Sequence, residues 1–213
     1  MHTLLETIKQ AVIDGGHKQI EAQVQQAVDA GLPIEQIINE SLIGAMDVVG
    51  QRFSKKEIYV PEMLVAAVTM KKGLEVVKPL MASTDAVRRG TVMICTVKGD
   101  IHDIGKNLVV MMLEGAGFEV VDLGVDTTVE KVIAAVREQR PDVLGLSALL
   151  TTTMPEMARV VQGLASADLR GQVKVIVGGA PVDAAFAEKI GADGYGADAA
   201  EAVTLCKALV ANG

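Results

Sequence analysis

Residues 91–107 read TVMICTVKGDIHDIGKN. A short β-branched apolar run leads into a polar stretch with one histidine between two aspartates, and the residues beyond it return to helical spacing. Strand, loop and helix therefore follow one another within a few residues. The same succession recurs at FEVVDL (118–123), DVLGLS (142–147), VKVIVGG (173–179) and, more weakly, ADGYG (192–196). Each run is followed by an amphipathic segment of helical length. Strands that alternate with helices predict a parallel sheet covered on both faces, a doubly wound, flavodoxin- or Rossmann-like α/β domain of five strands.

Upstream of residue 85 or so the pattern is helical throughout. Apolar spacing predicts helices at 3–13, 17–30, 33–53 and 60–83, with Pro33 and Pro61 near the first turns of the last two and Gly31 closing the second. This is a small four-helix bundle. In its fourth helix Val60, Leu64, Ala67 and Leu74 fit one face, with Met63 and Met70 packed beside them as core. The domain boundary is expected within residues 83–90, giving a bundle over 1–87 and an α/β domain over 88–213.

Composition narrows the function. Half of the 213 residues are apolar and 22% are charged, as in an ordinary globular protein. There is no Trp, with only two Tyr and three Phe, and the net charge is −7. Aromatic base stacking and a basic phosphate-binding face are both missing, so nucleic acid is not an expected partner. Cys95 and Cys206 lie far apart, in a strand and a helix, as buried free thiols do in a reducing compartment. No run approaches a membrane span and the first residues lack a secretory pattern, so a cytoplasmic protein is expected.

In an open parallel sheet, ligands bind beyond the carboxyl ends of the strands. Three such loops are unusual: KGDIHDIGKN (98–107), SALLTTTM (147–154) and GGAPVD (178–183). The first is no P-loop, because the spacing from Gly99 to Gly105 is wrong and Asn107 stands where Ser or Thr is needed. It carries no dinucleotide fingerprint either. A protein-only metal site cannot be assembled, since the other histidines are His2 and His17 in the helical region. Ser147, His102 and Asp100 form a triad in name only, without the glycine-flanked elbow that exposes a nucleophilic serine.

What remains is a histidine giving one bond to a metal whose other positions a macrocycle fills. A metal-bound imidazole is oriented through its second nitrogen, often by a carboxylate. Asp100 is close enough to serve, and a hydroxyl of the 147–154 loop could hold Asp100 in turn. The plainer readings are a locally bonded loop histidine at His102, a tight turn at Gly178 and Gly179, and a helix N-cap among Thr151, Thr152 and Thr153.

Taken together, D-x-H-x-x-G at Asp100, His102 and Gly105, S-x-L at Ser147 and Leu149, and the pair Gly178–Gly179 resemble the cobalamin-binding signature. Methionine synthase, the cobalamin mutases and the corrinoid proteins of methyltransferase systems share it. Residues 55–80, KKEIYVPEMLVAAVTMKKGLEVVKPL, are similar to the cap segment of stand-alone corrinoid proteins.

The resemblance implies a base-off corrinoid with His102 as lower axial ligand to cobalt. Gly99, Asp100, Asp103, Gly105 and Leu149 would line the cofactor. Ser147 and Thr151 would contact its nucleotide tail, with Gly178 and Gly179 leaving room. Asp100 and Thr153 would form the relay behind the histidine, Thr153 standing where methionine synthase has a serine. The implied function is a methyl carrier cycling between cobalt(I) and methyl-cobalt(III), with no independent turnover. Its partners would be a substrate-specific methyltransferase, an acceptor methyltransferase and a reductive reactivation protein. The donor would be a methylamine, methanol, a methoxyaromatic or a betaine, and the acceptor coenzyme M or a reduced folate.

A mutase subunit would need a substrate barrel for which there is no room, and a cobalamin-dependent repressor would need a basic recognition helix. Outside cobalamin, the alternative is a flavodoxin-like module for another phosphate-bearing ligand.

Overall fold

The computed structural model describes residues 2–77, 79–80 and 89–211, which fall into two compact units. The first comprises residues up to 88 together with 114–117, and the second comprises 89–113 and 118 onward. Most of the expected boundary at 83–90 lies outside the described residues, as does the end of the fourth predicted helix.

In the helical unit, α1 (His2–Ile13) and α2 (Ile20–Asp29) are followed by one continuous helical run. That run changes type along its length, from α3 (Ile34–Gln36) through a π-helical stretch (Ile37–Ile43) to α4 (Gly44–Ser54). The fourth long helix is α5 (Val60–Val77). The four pack against one another as a bundle. Gly31 ends α2 as expected, at φ +75°, with Leu32 N–H bonded to the Ala27 carbonyl and Gly31 N–H to that of Val28. This is the double bond pattern that a left-handed glycine allows after a helix.

One sequence reading needs correction. The buried residues of α5 are Met63, Ala66, Ala67, Thr69, Met70, Gly73 and Val77, while Leu64 and Leu74 are only half-buried and Val60 is exposed. The core line is set by the two methionines, with Leu64 and Leu74 at its margin. Gly73 explains the choice, since a Cβ there would lie 2.8 Å from Leu42 and 3.1 Å from Ile20. The small residue lets neighbouring helices close on that face, and the buried stripe centres on it.

The second unit holds five parallel strands: β1 (Thr91–Thr96), β2 (Glu119–Asp122), β3 (Val143–Ser147), β4 (Lys174–Gly178) and β5 (Gly194–Gly196). Their order is β2-β1-β3-β4-β5. The connecting helices are α6 (Ile104–Gly115), α7 (Val129–Gln139), α8 (Met154–Ser166) and α9 (Ala184–Ile190), with α10 (Ala199–Ala211) last.

Met93, Cys95, Leu144, Leu146, Val175 and Val177 point to one face and meet apolar residues of α7, α8 and α9. The alternate residues Val92, Ile94, Val143 and Ile176 are equally buried. The right-handed β1–β2 crossover puts α6 over that second face, and α10, which follows β5, packs on β3, β4 and β5. Both faces are therefore dry, which is why these strands read as unbroken apolar runs.

Cys95 and Cys206 are free and buried, and desolvation pushes both thiols up to about 12. No described helix is long and apolar enough to cross a membrane.

Candidate cofactor site

The chain leaves β1 toward β2 on one side and leaves β3 toward β4 on the other. Because β1 and β3 are neighbours, the crevice between their exits is the switch point where ligands sit in this topology. Strand register fixes what borders it. Thr96, Ser147, Gly178 and Gly196 lie side by side in one row across the carboxyl edge.

Asp100 bridges the two exits. It is fully buried, and its Oδ1 accepts from His102 Nδ1 at 2.7 Å and from His102 N–H at 3.1 Å. Its Oδ2 accepts from Leu149 N–H at 2.8 Å, Leu150 N–H at 3.3 Å and Thr153 Oγ1 at 2.8 Å. Burial alone would raise this carboxyl's pKa. The hydrogen bonds from the backbone of His102 and Leu149 and from the side chains of His102 and Thr153 outweigh it, holding Asp100 well below the usual carboxylate range.

His102 is held at three points. Its N–H and Nδ1 both reach Asp100, and its carbonyl accepts from buried Thr96 Oγ1 at 3.0 Å. With the Nδ1 proton committed to a carboxylate, the neutral ring presents the lone pair of Nε2, the form that binds a metal. The side chain is 47% exposed, so Nε2 stands open beyond the sheet. Around it the loops carry aliphatic side chains that the fold does not bury: Ile101, Ile104, Leu149, Leu150 and Val125. Ile101 and Ile104 are 74% and 87% exposed, and exposed aliphatic side chains beside an accessible imidazole are the make-up expected of a binding surface. Among the described residues, no cluster of three His, Cys, Asp or Glu could hold a metal ion.

The remaining candidates have distinct surroundings. Asp103 caps the start of α6, taking the Asn107 N–H on its carbonyl at 2.7 Å and the Asn107 amide on its carboxylate at 3.0 Å. Gly105, in the first turn of α6, faces open space. Thr151 is exposed, while Ser147 ends β3 beside Gly178. Thr153 stands at the N-cap of α8 but makes no side-chain cap bond, because its hydroxyl turns to Asp100 and the Leu150 carbonyl. Its methyl lies 3.7 Å from where a Cβ on Gly99 would be, so the bulkier threonine fits with its hydroxyl on Asp100.

Gly179 has a reason inside the chain. At φ +131° its Cβ would fall 1.9 Å from the Ala148 carbonyl oxygen, so the turn itself requires glycine. Lys106, the lysine that a phosphate loop would place after Gly105, is buried and pairs with Asp122, which agrees with rejecting that reading.

Thr96, Leu150, Ile101, Ile104 and Val125 did not emerge as site residues from the sequence. The one available signal was apolar side chains within a polar loop, as in IHDI.

Residues 90–204 match the B12 binding domain family, and residues 4–78 match a second B12 binding domain family. The trimethylamine corrinoid protein 2 of Methanosarcina acetivorans is 40% identical over 209 residues, covering 97% of this chain and 96% of that protein. Dimethylamine corrinoid protein 1 of the same organism is 41% identical over 209 residues, covering 98% of each. A chain of the methanol:cobalamin methyltransferase complex of Methanosarcina barkeri superposes with a TM-score of 0.88 at 32% identity, over 99% of this chain and 81% of that one. With a buried carboxylate aiming one open imidazole at the switch point, and with relatives of this kind along its whole length, the chain belongs to the B12-binding corrinoid proteins of methyltransferase systems.

Proposed function

We propose that this protein carries a methyl group from a substrate-specific methyltransferase to an acceptor methyltransferase, with His102 as the protein ligand to a base-off corrinoid. One observation carries the reading: His102 is tied through Nδ1 to buried Asp100, leaving Nε2 open among unburied aliphatic side chains. That donor set fits a corrinoid, whose macrocycle would supply the remaining nitrogen ligands to the metal and would need an apolar surface to rest on. When bound, the corrinoid supplies a cobalt centre that takes up and releases a methyl group.

The chain's own residues do the rest. Asp100 keeps the proton on Nδ1 and so keeps Nε2 unprotonated for ligation. Thr153 and the Leu149 and Leu150 amides keep the Asp100 carboxylate ionised and fixed. Ile101, Ile104, Leu149 and Leu150 would give the corrinoid an apolar surface and exclude water around the imidazole. Ser147 and Thr151 offer hydroxyls, and Gly178 a side-chain-free edge, to the displaced nucleotide tail, with Gly99, Asp103 and Gly105 bordering the same crevice. The kinship with trimethylamine and dimethylamine corrinoid proteins supports a methylamine as the donor. An acceptor methyltransferase, a reductive reactivation partner and a cytoplasmic setting complete the proposal.

The test is the visible spectrum of the purified chain after incubation with hydroxocobalamin and desalting, beside His102→Ala. Retained corrinoid bands that move in the variant are expected. A folded wild-type chain that retains no corrinoid overturns the reading. Corrinoid retention without methylation by any methylamine methyltransferase overturns the donor assignment alone.

A further inference from the structure

Asp126 lies outside every element of the cobalamin signature, in the loop between β2 and α7. It is one of the few described non-glycine residues with a left-handed backbone, at φ +48°. That conformation costs a branched-at-Cβ residue dearly and an aspartate about 1 kcal/mol. Two hydrogen bonds accompany it. Asp126 N–H donates to the Asp100 carbonyl at 2.9 Å, and Asp126 Oδ1 accepts from the Gly99 N–H at 2.7 Å. One residue thus grips the backbone on both sides of the Gly99–Asp100 link.

The rest of the loop is already aligned with the exit of β1. Thr96 N–H donates to the Gly124 carbonyl at 2.9 Å, Thr127 N–H donates to the Thr96 carbonyl at 3.1 Å, and Val97 bridges Thr127 in parallel fashion. Asp126 therefore reaches the Asp100 segment from a fixed base.

The need for a grip follows from Gly99. Its φ is +79°, and without a Cβ it can leave that region at little cost. Rotation there would swing Asp100, whose five hydrogen bonds set the direction of His102. Nothing in the turn chemistry of the β2–α7 loop requires a carboxylate at this position, since glycine would take the same φ more cheaply. The carboxylate's hydrogen bond is to the Gly99 N–H.

Building on the corrinoid reading above, we propose that Asp126 is a positioning residue that locks Gly99 and thereby aims the Asp100–His102 pair at the cofactor metal.

The test uses the full chain with hydroxocobalamin. Asp126→Gly keeps the backbone conformation and the N–H but deletes the acceptor, whereas Asp126→Asn keeps a carbonyl acceptor and tolerates the same φ. The expected result is a fall of about tenfold in the ratio of histidine-ligated to unligated corrinoid in Asp126→Gly, and wild-type bands in Asp126→Asn. Bands that shift equally in both variants, or in neither, overturn the proposal. Amide hydrogen exchange of Gly99 in the cofactor-free wild-type chain gives a second measure should Asp126→Gly fail to fold. A protected Gly99 amide supports the lock, and an amide exchanging as freely as in an unstructured loop overturns it. Wild-type protein that retains no corrinoid counts against the corrinoid reading, while the Gly99 amide still tests the lock itself.

Discussion

Asp100 is fully buried and spends its two oxygens on five donors, so its replacements separate charge from shape. Asp100→Ala leaves the Leu149 and His102 amides without their carboxylate acceptor, while the Thr153 hydroxyl keeps the Leu150 carbonyl, and is expected to cost about 2 to 4 kcal/mol. The pH dependence follows from the direction of its shift. The folded-state pKa lies below the unfolded value of about 4, so the carboxylate's contribution is complete above about pH 5 and declines as pH falls toward the folded value. Asp100→Asn has no such titration. Urea unfolding should therefore show a gap between wild type and Asp100→Asn that is widest near pH 7 and narrows below about pH 4. A gap that widens on acidification would mean that the carboxylate is not stabilised by its donors. The pairing of Asp100 with His102 was legible in the sequence because two residues on an extended chain can turn toward each other. Thr96, Leu150 and Asp126 were not legible, since they act through main-chain groups of loops that meet only after the strands are ordered β2-β1-β3.

At the scale of elements, two glycines of the signature answer to different demands. Gly179 is needed by its own turn, where a Cβ would strike the Ala148 carbonyl, so Gly179→Ala should destabilise the cofactor-free chain by about 3 kcal/mol or more. Gly105 meets nothing within 4 Å and sits in a helical turn, so Gly105→Ala should raise cofactor-free stability by about 0.5 kcal/mol. If Gly105 borders the corrinoid as proposed, the same substitution weakens hydroxocobalamin retention. Thermal melts with a binding titration of each variant separate the two demands, and a destabilised Gly105→Ala chain would show that the helix itself needs the glycine. The five strands were legible because both faces are buried and each run is short and β-branched. The third helical run was legible as helix but not in its type. A π-helical turn over Ile37–Ile43 shifts the register by less than one residue per turn, too little to disturb an apolar spacing read over seven residues.

For the whole molecule, the two cysteines report how corrinoid binding bears on opening of the α/β unit. Cys95 in β1 and Cys206 in α10 are both fully buried, and desolvation pushes each thiol up to about 12. Neither forms thiolate in the folded state at neutral pH, so a disulfide reagent can reach them only through opening of that unit. Every residue assigned to the corrinoid lies in the same unit. A ligand that binds only the closed form lowers the open population by a factor of 1 + [L]/Kd, about 100-fold at 100 times Kd. Thiol labelling of the cofactor-free chain should therefore be slow, and saturating hydroxocobalamin should slow it further by about that factor when opening is in rapid equilibrium. His102→Ala should lose most of this protection while keeping the slow basal rate, because the half-exposed imidazole is not what buries Cys95 in β1 or Cys206 in α10. Labelling of Cys95 that is fast in the folded chain, or unaffected by retained corrinoid, would show that the site and the sheet beneath it open independently.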